Sequence, residues 1–322
     1  MERVANRLMP KHRGAGDRSL GIAFAAMVVL FALAPFVVYP VFLMKALCFA
    51  LFACAFNLLI GYVGLVSFGH ALFFGWASYV TAHAAKVWLL PPEAAIAVGT
   101  ATAAVLGVIS GGLAIRRQGI YFAMITLALA QMMYFFALQA KFTGGEDGIQ
   151  GVPRGRLFGL FDLSNEMTMY AFVLVVVLAG FLLIYRIINS PFGEVLKAIR
   201  ENEPRAISLG YRTERYKLVA FTLSATLSGL AGSMKALVFQ LASLTDVHWA
   251  MSGDVMLMTL IGGLGTVFGP VIGAFLIVAM QNYLAPFGQW VLVIQGAIFV
   301  FCVLTFRRGI IGELARALHV QL

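Results

Sequence analysis

The chain has 322 residues, of which 61% are hydrophobic and 11% are charged, and its net charge is +9. Soluble globular domains are about half apolar and a quarter charged, so this composition excludes a soluble domain and indicates an integral membrane protein. The basic residues cluster in short segments between apolar runs, a pattern that argues against nucleic-acid binding. The apolar runs do not alternate with polar residues, so spanning helices are predicted rather than a barrel.

Ten apolar segments follow one another along the chain, and each is predicted to cross the bilayer once, because a span needs roughly 20 apolar residues. The stretch 253–284 is too long for one span, and GGLGTVFGP at 262–270 divides it into two helices. The predicted fold is therefore all-α, a polytopic helical bundle of about ten spans, some of them broken at Gly-rich sequence. The segments are 21–39, 41–61, 63–85, 94–115, 119–140, 168–188, 217–239, the two halves of 253–284, and 288–306.

Lys and Arg residues concentrate on one side of this topology. With a cytoplasmic N-terminus, that side receives five basic residues in 1–19, seven between Arg186 and Lys217, and Arg307–Arg308. Cytoplasmic connections carry this excess, so both termini are predicted to be cytoplasmic. The predicted divisions are a basic tail over 1–19, one transmembrane domain over 20–306 with an outer loop at 141–167 and a cytoplasmic loop at 189–216, and a tail over 307–322.

Residues that carry chemistry are sparse within the spans. All 14 acidic residues lie in loops, in the N-terminus or at span ends, with Glu93 and Asp254 nearest to membrane depth. A proton- or sodium-driven carrier usually holds an ionisable group at mid-membrane, so that class is disfavoured. The chain has no G-x-x-x-x-G-K-[ST] loop for binding ATP. Cys48, Cys54 and Cys302 lie in apolar runs without metal-ligand spacing, and no metal site is predicted.

Two Gly-rich segments resemble each other: LIGYVGLVSFG at 59–69 aligns with LIGGLGTVFG at 260–269 once a single gap is allowed. Gly-interrupted segments in two halves of a transporter point to a repeat with a solute site between them. Polar residues nearby give two readings, either hydrogen bonds between helices or polar contacts along a mostly apolar path. The candidate path residues are Asn57, Ser67, His70, Thr126, Gln131, Gly262, Gly263 and Gly265.

Small residues also recur every fourth position, which lets membrane helices approach closely. Close packing and a lining for a path are both compatible with this pattern. The rows are Ser67–Ala71–Gly75, Ser224–Ser228–Gly232 and Gly265–Gly269–Gly273.

The segment 190–210 is charged and helix-forming between two apolar spans. Ser190 is a good N-cap before Pro191, Asn202 is predicted to cap a second short helix, and Gly210 to end it. An apolar stripe recurs at helical spacing in the first helix. Two readings follow: an interfacial helix on anionic lipid, or, because acidic and basic residues interleave, a helix pair whose stripe docks into a groove of a protein partner. The stripe is Phe192, Val195, Leu196 and Ile199.

The chain resembles the membrane-spanning permease subunits of branched-chain amino acid (LIV-type) ABC importers, and the longer of their two types in particular. The resemblance covers most of the chain from about residue 45 onward. It is carried by NLLIGYVGLVSFGHALFFG at 57–75, RRQGIYFAMITLALAQM at 116–132, FTGGEDGIQGVP at 142–153, PFGEVLKAIRENEPRAISLGYRTERYKLVAFTLSATLSGLAGSM at 191–234, LIGGLGTVFGPVIGAFL at 260–276 and FRRGIIG at 306–312.

The resemblance implies a bacterial inner-membrane subunit that forms a path for branched-chain amino acids, other small amino acids, urea or amides. It implies a second related permease, two cytoplasmic ATPase subunits that hold ATP and Mg²⁺, and a periplasmic solute-binding protein, with no cofactor bound by this chain. It also implies that the loop 190–210 docks on the ATPase. The residues expected at that interface are Phe192, Glu194, Lys197, Arg200, Glu201, Asn202, Glu203 and Arg205.

Two other classes of protein remain as alternatives. A stand-alone secondary carrier or facilitative channel would need none of these partners. An intramembrane enzyme would need a catalytic pair within the bundle, but His70 has no acidic partner in a span. The ATP-driven permease is therefore the preferred interpretation, and no catalytic residue is predicted.

Overall fold

The computed structural model of this protein describes residues 13–288, 290–305 and 309–317. Each apolar segment predicted to span corresponds to one helix, which confirms the predicted all-α class. The membrane-type helices are α1 (Arg13–Leu33), α2 (Pro40–Tyr62), α3 (His70–Lys86), α4 (Pro92–Ala114), α5 (Ile120–Gln139), α6 (Glu166–Ile188), α9 (Thr213–Phe239), α11 (Trp249–Gly262), α12 (Gly269–Tyr283) and α13 (Trp290–Thr305). The short helices are α7 (Pro191–Glu201), α8 (Glu203–Ser208), α10 (Leu244–Val247) and α14 (Gly309–Ala317).

Local sequence explains where several helices begin. Pro40 and Pro92 occupy the first helical positions of α2 and α4, where a missing N–H is harmless. The side chain of Asn165 caps α6 by accepting a hydrogen bond from the backbone N–H of Met167. Glu166 in the first turn and Arg186 in the last turn complement the dipole of the same helix.

Helix α2 lies at the centre of the bundle. It is apolar all round, as buried helices are, and it is buried at every position from Leu43 to Tyr62 except Lys45. It packs against α6, α9, α11 and α12, while α9 also packs against α3 and α4. Phe52 stacks on Phe74 of α3, with ring centroids 4.6 Å apart. The core of the molecule is therefore helix against helix around α2 and α9.

The rows of small residues lie where helices approach most closely. A Cβ at Gly232 of α9 would lie 1.9 Å from the carbonyl oxygen of Phe74 in α3, and a Cβ at Gly273 of α12 would lie 1.8 Å from the carbonyl oxygen of Met258 in α11. No side chain fits in either place. The close-packing reading of these rows therefore holds at Gly232 and Gly273.

Four helices are long and apolar enough to cross a membrane by length and composition: α2, α4, α5 and α6. Helices α11, α12 and the apolar parts of α1 and α13 are shorter. The count of ten spans therefore stays a prediction. Helix α1 begins at Arg13, inside the predicted N-terminal tail, and α14 lies inside the predicted C-terminal tail. Arg307–Arg308, used to predict orientation, lie outside the described residues.

The long connection between α5 and α6 is ordered by short pieces of structure. Two 3₁₀ turns, Lys141–Thr143 and Gly145–Asp147, precede strand β1 (Ile149–Gln150), and β2 (Arg156–Leu157) pairs with β3 (Phe161–Asp162). Strand β1 pairs antiparallel with β4 (Leu241–Ala242), which follows α9. This pairing ties the predicted outer loop 141–167 to the connection after α9.

Two irregular segments interrupt the membrane-type helices where the Gly-rich sequences were found. We refer to residues 63–69, between α2 and α3, as the first break, and to residues 263–268, between α11 and α12, as the second break. Gly64 in the first break has φ +81°, and Gly265 in the second has φ +74°, both in the left-handed region that glycine adopts without strain. The sequence prediction of two interrupted segments is confirmed in both places.

Candidate functional site

The second break lies against the end of α2, and Asn57 of α2 holds it there. Its Nδ2 donates to the carbonyl oxygen of Thr266 at 2.9 Å, and its Oδ1 accepts from the N–H of Gly265 at 3.0 Å. The backbones also come very close, since a Cβ at Gly61 would lie 2.8 Å from the nitrogen of Gly265. Irregular backbone at membrane depth must be satisfied by protein or water. In the second break, Asn57 provides the hydrogen-bond partner for the carbonyl of Thr266 and for the N–H of Gly265.

The remaining glycines of the candidate path pack tightly around the second break. A Cβ at Gly262 would lie 2.0 Å from the carbonyl oxygen of Gly269, the first residue of α12. Gly263 lies against Gly309, where α14 begins, because a Cβ at Gly309 would lie 2.4 Å from the Cα of Gly263. The start of α14, which belongs to the predicted C-terminal tail, therefore contacts the second break.

Ser67 lies within the first break and His70 directly after it, and both are fully buried. The Nε2 of His70 is 2.9 Å from Ser224 Oγ, and that hydroxyl donates to the carbonyl oxygen of Ala55 at 2.6 Å. Phe56, among other rings, meets the imidazole edge-on, and among the described residues Nδ1 has no hydrogen-bond partner. His70 therefore sits in an aromatic pocket with one polar neighbour, as interior histidines of a helix bundle do.

The other polar candidates support the start of α3 or stand apart from it. Ser67 Oγ accepts from the N–H of Gly69 at 3.2 Å, and Thr126 Oγ1 of α5 accepts from the N–H of Phe68 at 3.2 Å. Gln131, further along α5, is half-buried and makes no side-chain hydrogen bond within the described part of the chain. The structure thus brings Asn57, Ser67 and Thr126 to the breaks, but not Gln131. Their contact with a solute stays a prediction.

Helices α7 and α8, which we call the amphipathic pair, form as the sequence predicts. Ser190 Oγ accepts from the N–H of Gly193 at 3.3 Å, and Asn202 Oδ1 accepts from the N–H of Arg205 at 3.1 Å. Gly210 ends the pair with φ +89°. Both predicted caps and the predicted terminating glycine are confirmed.

The apolar stripe of α7 is covered by this chain itself. Leu196 and Ile199 are buried, and the ring of Phe192 stacks on that of Tyr216 in α9 at 5.7 Å. This corrects the expectation that the stripe lies in a groove of a protein partner, because α7 packs against α2, α6 and α9 and turns its apolar stripe to the core of this chain. The face left for a partner is the charged one.

The charged residues of the amphipathic pair divide between contacts within the chain and solvent. Lys197 and Glu194 form an exposed ion pair at 2.9 Å, whereas Glu203 is held by Lys217 at 2.5 Å and by Gln118 Nε2 at 2.9 Å. Arg200 donates to the carbonyl oxygen of Gly61, at the end of α2. Glu201, Asn202 and Arg205 are exposed, and Arg200 is exposed too although it contacts Gly61.

Two polar clusters were not predicted from the sequence, and one of them corrects the expectation that every acidic residue lies in a loop, in the N-terminus or at a span end, because Asp254 lies within α11. Lys235 of α9 and Asp246 of α10 form a buried ion pair at 2.6 Å. Asp254, inside α11, accepts from Gln281 Nε2 of α12 at 3.3 Å and from Gln295 Nε2 of α13 at 3.2 Å. A charged residue next to an apolar run was the available signal, but only the folded chain shows which partners reach it.

The sequence of this chain can now be compared with known proteins. Residues 38–303 match the family described as branched-chain amino acid transport system / permease component. The chain belongs to this permease family. It is a multi-pass membrane protein, and its family consists of transport subunits.

The names of individual relatives agree with this family assignment. The permease is 26% identical over 278 residues to the high-affinity branched-chain amino acid transport system permease protein LivM of Escherichia coli (strain K12), an alignment covering 79% of this chain and 65% of the relative. LivM of Salmonella typhimurium is also 26% identical, with the same coverage. The probable branched-chain amino acid transport permease protein LivH of Methanocaldococcus jannaschii is 29% identical over 126 residues, 37% of each chain.

The permease aligns with about two thirds of the length of its LivM relatives. No solved structure matches it. The family match includes both breaks and the amphipathic pair but leaves out α14 and all of α1. The candidate path residues and the amphipathic pair therefore lie in the part of the chain that is shared with the family.

Proposed function

We propose that this chain is the membrane-spanning permease subunit of an ATP-driven importer, and that it forms the path for branched-chain amino acids or a related small polar solute. Family membership and the names of the LivM relatives support the transport role. The amphipathic pair is the observation that supports an ATP-driven importer. It is anchored on the chain's own helices by its apolar stripe and turns its charged face outward.

The proposed assembly holds a second related permease, two cytoplasmic ATPase subunits that bind ATP and Mg²⁺, and a periplasmic solute-binding protein. This chain binds no cofactor and hydrolyses nothing. The excess of Lys and Arg around the amphipathic pair supports a cytoplasmic position for it, and thus cytoplasmic termini in a bacterial inner membrane.

The proposed path runs past the two breaks. Asn57, Ser67 and Thr126 bond backbone groups there, and the glycines leave little bulk between the helices. In the present arrangement each of these side chains is hydrogen-bonded to a backbone group of a break. A solute would reach them when the breaks separate, at which point the freed backbone groups would meet water or the solute.

Reconstitution in liposomes tests the transport function. The chain alone is expected to give no concentrative uptake of radiolabelled leucine. Addition of the second permease, the ATPase subunits, the binding protein and ATP is expected to start uptake. Uptake driven by a proton gradient in liposomes holding only this chain would contradict the proposal.

Exchange of the charges of one ion pair tests the docking surface. In the double variant Glu194→Lys/Lys197→Glu the two side chains still attract each other, so α7 is expected to fold and insert normally, but the charge presented to a partner is inverted. We expect co-purification of the ATPase subunits to fall about tenfold, because like charges then face each other across the interface. The matched control is Glu146→Lys in the predicted outer loop, which should leave co-purification unchanged. Equal recovery of the ATPase with both variants would show that this face does not dock it.

One observation favours a second candidate, a stand-alone secondary carrier. Asp254 is a carboxylate inside an apolar helix, held by two glutamines from neighbouring helices. Such groups often relay protons or bind ions in carriers. Uptake by the isolated chain that depends on a proton gradient and disappears in Asp254→Asn would establish this candidate instead.

A further inference from the structure

Arg200 connects the amphipathic pair to both breaks. Its guanidinium, at the end of α7, donates to the carbonyl oxygen of Gly61 in the last turn of α2. Its side-chain stem lies under the first break, since a Cβ at Gly64 would be 3.1 Å from Arg200 Cγ. A Cβ at Gly265 would be 3.3 Å from Arg200 Nη1 and 3.3 Å from the carbonyl oxygen of Gly61. One side chain therefore contacts the end of α2, the first break and the second break.

Glycine makes this contact possible. Gly64 and Gly265 both have a positive φ, which glycine adopts without strain. At both positions a side chain would also come close to Arg200. An arginine side chain is long and carries several donors in a fixed plane, which suits it to hold a backbone carbonyl from a neighbouring element. The cluster is completed by Asn57, which ties Gly265 and Thr266 to α2.

We infer that Arg200 is a positioning residue for transport: it transmits movement of α7 to both breaks and to the end of α2, and Asn57 carries that movement from α2 to the second break. The inference rests on the proposed docking of the amphipathic pair on an ATPase. When α7 shifts, the carbonyl of Gly61 and the loops at Gly64 and Gly265 must shift with it or lose the guanidinium. The break 263–268 also contacts the start of α14, so its displacement reaches the C-terminal helix.

The first test needs only the full-length chain in lipid nanodiscs. We expect Arg200→Ala to raise hydrogen–deuterium exchange at 61–66 and 263–268 about tenfold, since a hydrogen bond from a charged donor is lost. Exchange in α5 should not change. Arg215→Ala, an exposed arginine on the first turn of α9, is the matched control. Unchanged exchange at both breaks in Arg200→Ala would overturn the inference, whatever the function of the protein.

The second test uses the reconstituted transporter with its ATPase, second permease and binding protein, and radiolabelled leucine as the probe. In Arg200→Ala, leucine uptake and the stimulation of ATP hydrolysis by loaded binding protein should fall about tenfold. Arg200→Lys, which keeps one charged donor, should recover part of both, and it replaces Arg200→Ala if that variant fails to insert.

The outcomes separate the inference from the proposed function. Loss of ATPase co-purification in Arg200→Ala would show that Arg200 holds the partner itself, and would overturn the inference while leaving the docking proposal standing. Normal uptake and stimulation in Arg200→Ala would also overturn it. Insensitivity of co-purification to the Glu194→Lys/Lys197→Glu exchange would instead overturn the docking proposal. Asn57→Ala should reproduce the uncoupling, and the double variant should be no worse than either single one, because both residues act on the second break.

Discussion

Lys235 and Asp246 show how single charges are accommodated inside this bundle. Their side chains are 9% and 4% exposed, and Nζ lies 2.6 Å from Oδ2. Asp246 Oδ2 also accepts from the N–H of Ser243 at 3.2 Å, and Lys235 also donates to the carbonyl oxygen of Leu241 at 3.4 Å. Each charge is thus satisfied by its partner and by backbone at the turn after α9. Removal of one partner would leave the other charged in an apolar surrounding.

We expect Asp246→Ala to destabilise the chain by about 3 to 5 kcal/mol, the usual cost of breaking a buried ion pair from one side. Thermal unfolding in detergent micelles measures this as a lowered midpoint. The double variant Lys235→Met/Asp246→Leu should recover most of the loss, because no charge remains unpaired. Lys197→Met, which breaks the exposed pair with Glu194, should change the free energy of unfolding by less than about 1 kcal/mol. Equal losses for the buried and the exposed pair would contradict this account.

At the scale of elements, the amphipathic pair was largely predictable from its own residues. Ser190, Asn202 and Gly210 mark helix ends by local chemistry, so both helices could be placed to within a residue or two. The stripe could be identified, but not the surface that covers it, because periodicity reports which face is apolar and not what lies opposite. The contact of Arg200 with Gly61 joins residues 139 positions apart, a distance over which this sequence carries no local signal.

Helix α8 has six residues and depends strongly on its cap. Asn202→Ala removes the acceptor for the N–H of Arg205, and caps of this kind contribute about 1 kcal/mol. We therefore expect hydrogen–deuterium exchange of the α8 amides to rise about fivefold, with α7 unaffected. Asn202→Gly should cost only a few tenths of a kcal/mol, since glycine is itself tolerated at this position. Equal exchange in the alanine and glycine variants would show that Asn202 acts otherwise than as a cap.

At the scale of the molecule, close approach of helices sets which substitutions the bundle tolerates. Helix α9 lies against α2, α3 and α4 and holds its closest contact at Gly232, where only hydrogen fits beside the carbonyl of Phe74. The rows of small residues predicted tight packing but not which helix would be met. Ten similar apolar segments can pair in many ways, and composition does not distinguish them.

We expect Gly232→Ala to separate α3 from α9 and to lower the monodisperse fraction in gel filtration at least about threefold, since overpacking a filled core costs about 1 to 3 kcal/mol. Gly112→Ala on α4 is the matched control, because nothing lies within 4 Å of the added Cβ. That variant should behave like the parent chain or slightly better, given the higher helix propensity of alanine. A similar loss of the monodisperse fraction in both variants would show that the α3–α9 contact is not its cause.

The two hydrogen bonds between Asn57 and the second break also have a consequence for biosynthesis. Its acceptor and donor lie at Thr266 and Gly265, more than 200 residues later in the chain. A ribosome adds about 5 to 20 residues per second, so α2 resides in the membrane for about 10 to 40 s before these partners emerge. During that interval the amide of Asn57 cannot make these two hydrogen bonds, and the surface of α2 that α11 and α12 cover in the folded chain has not yet met them. Helix α2 can therefore be fully enclosed by its own chain only after α11 and α12 have been synthesised.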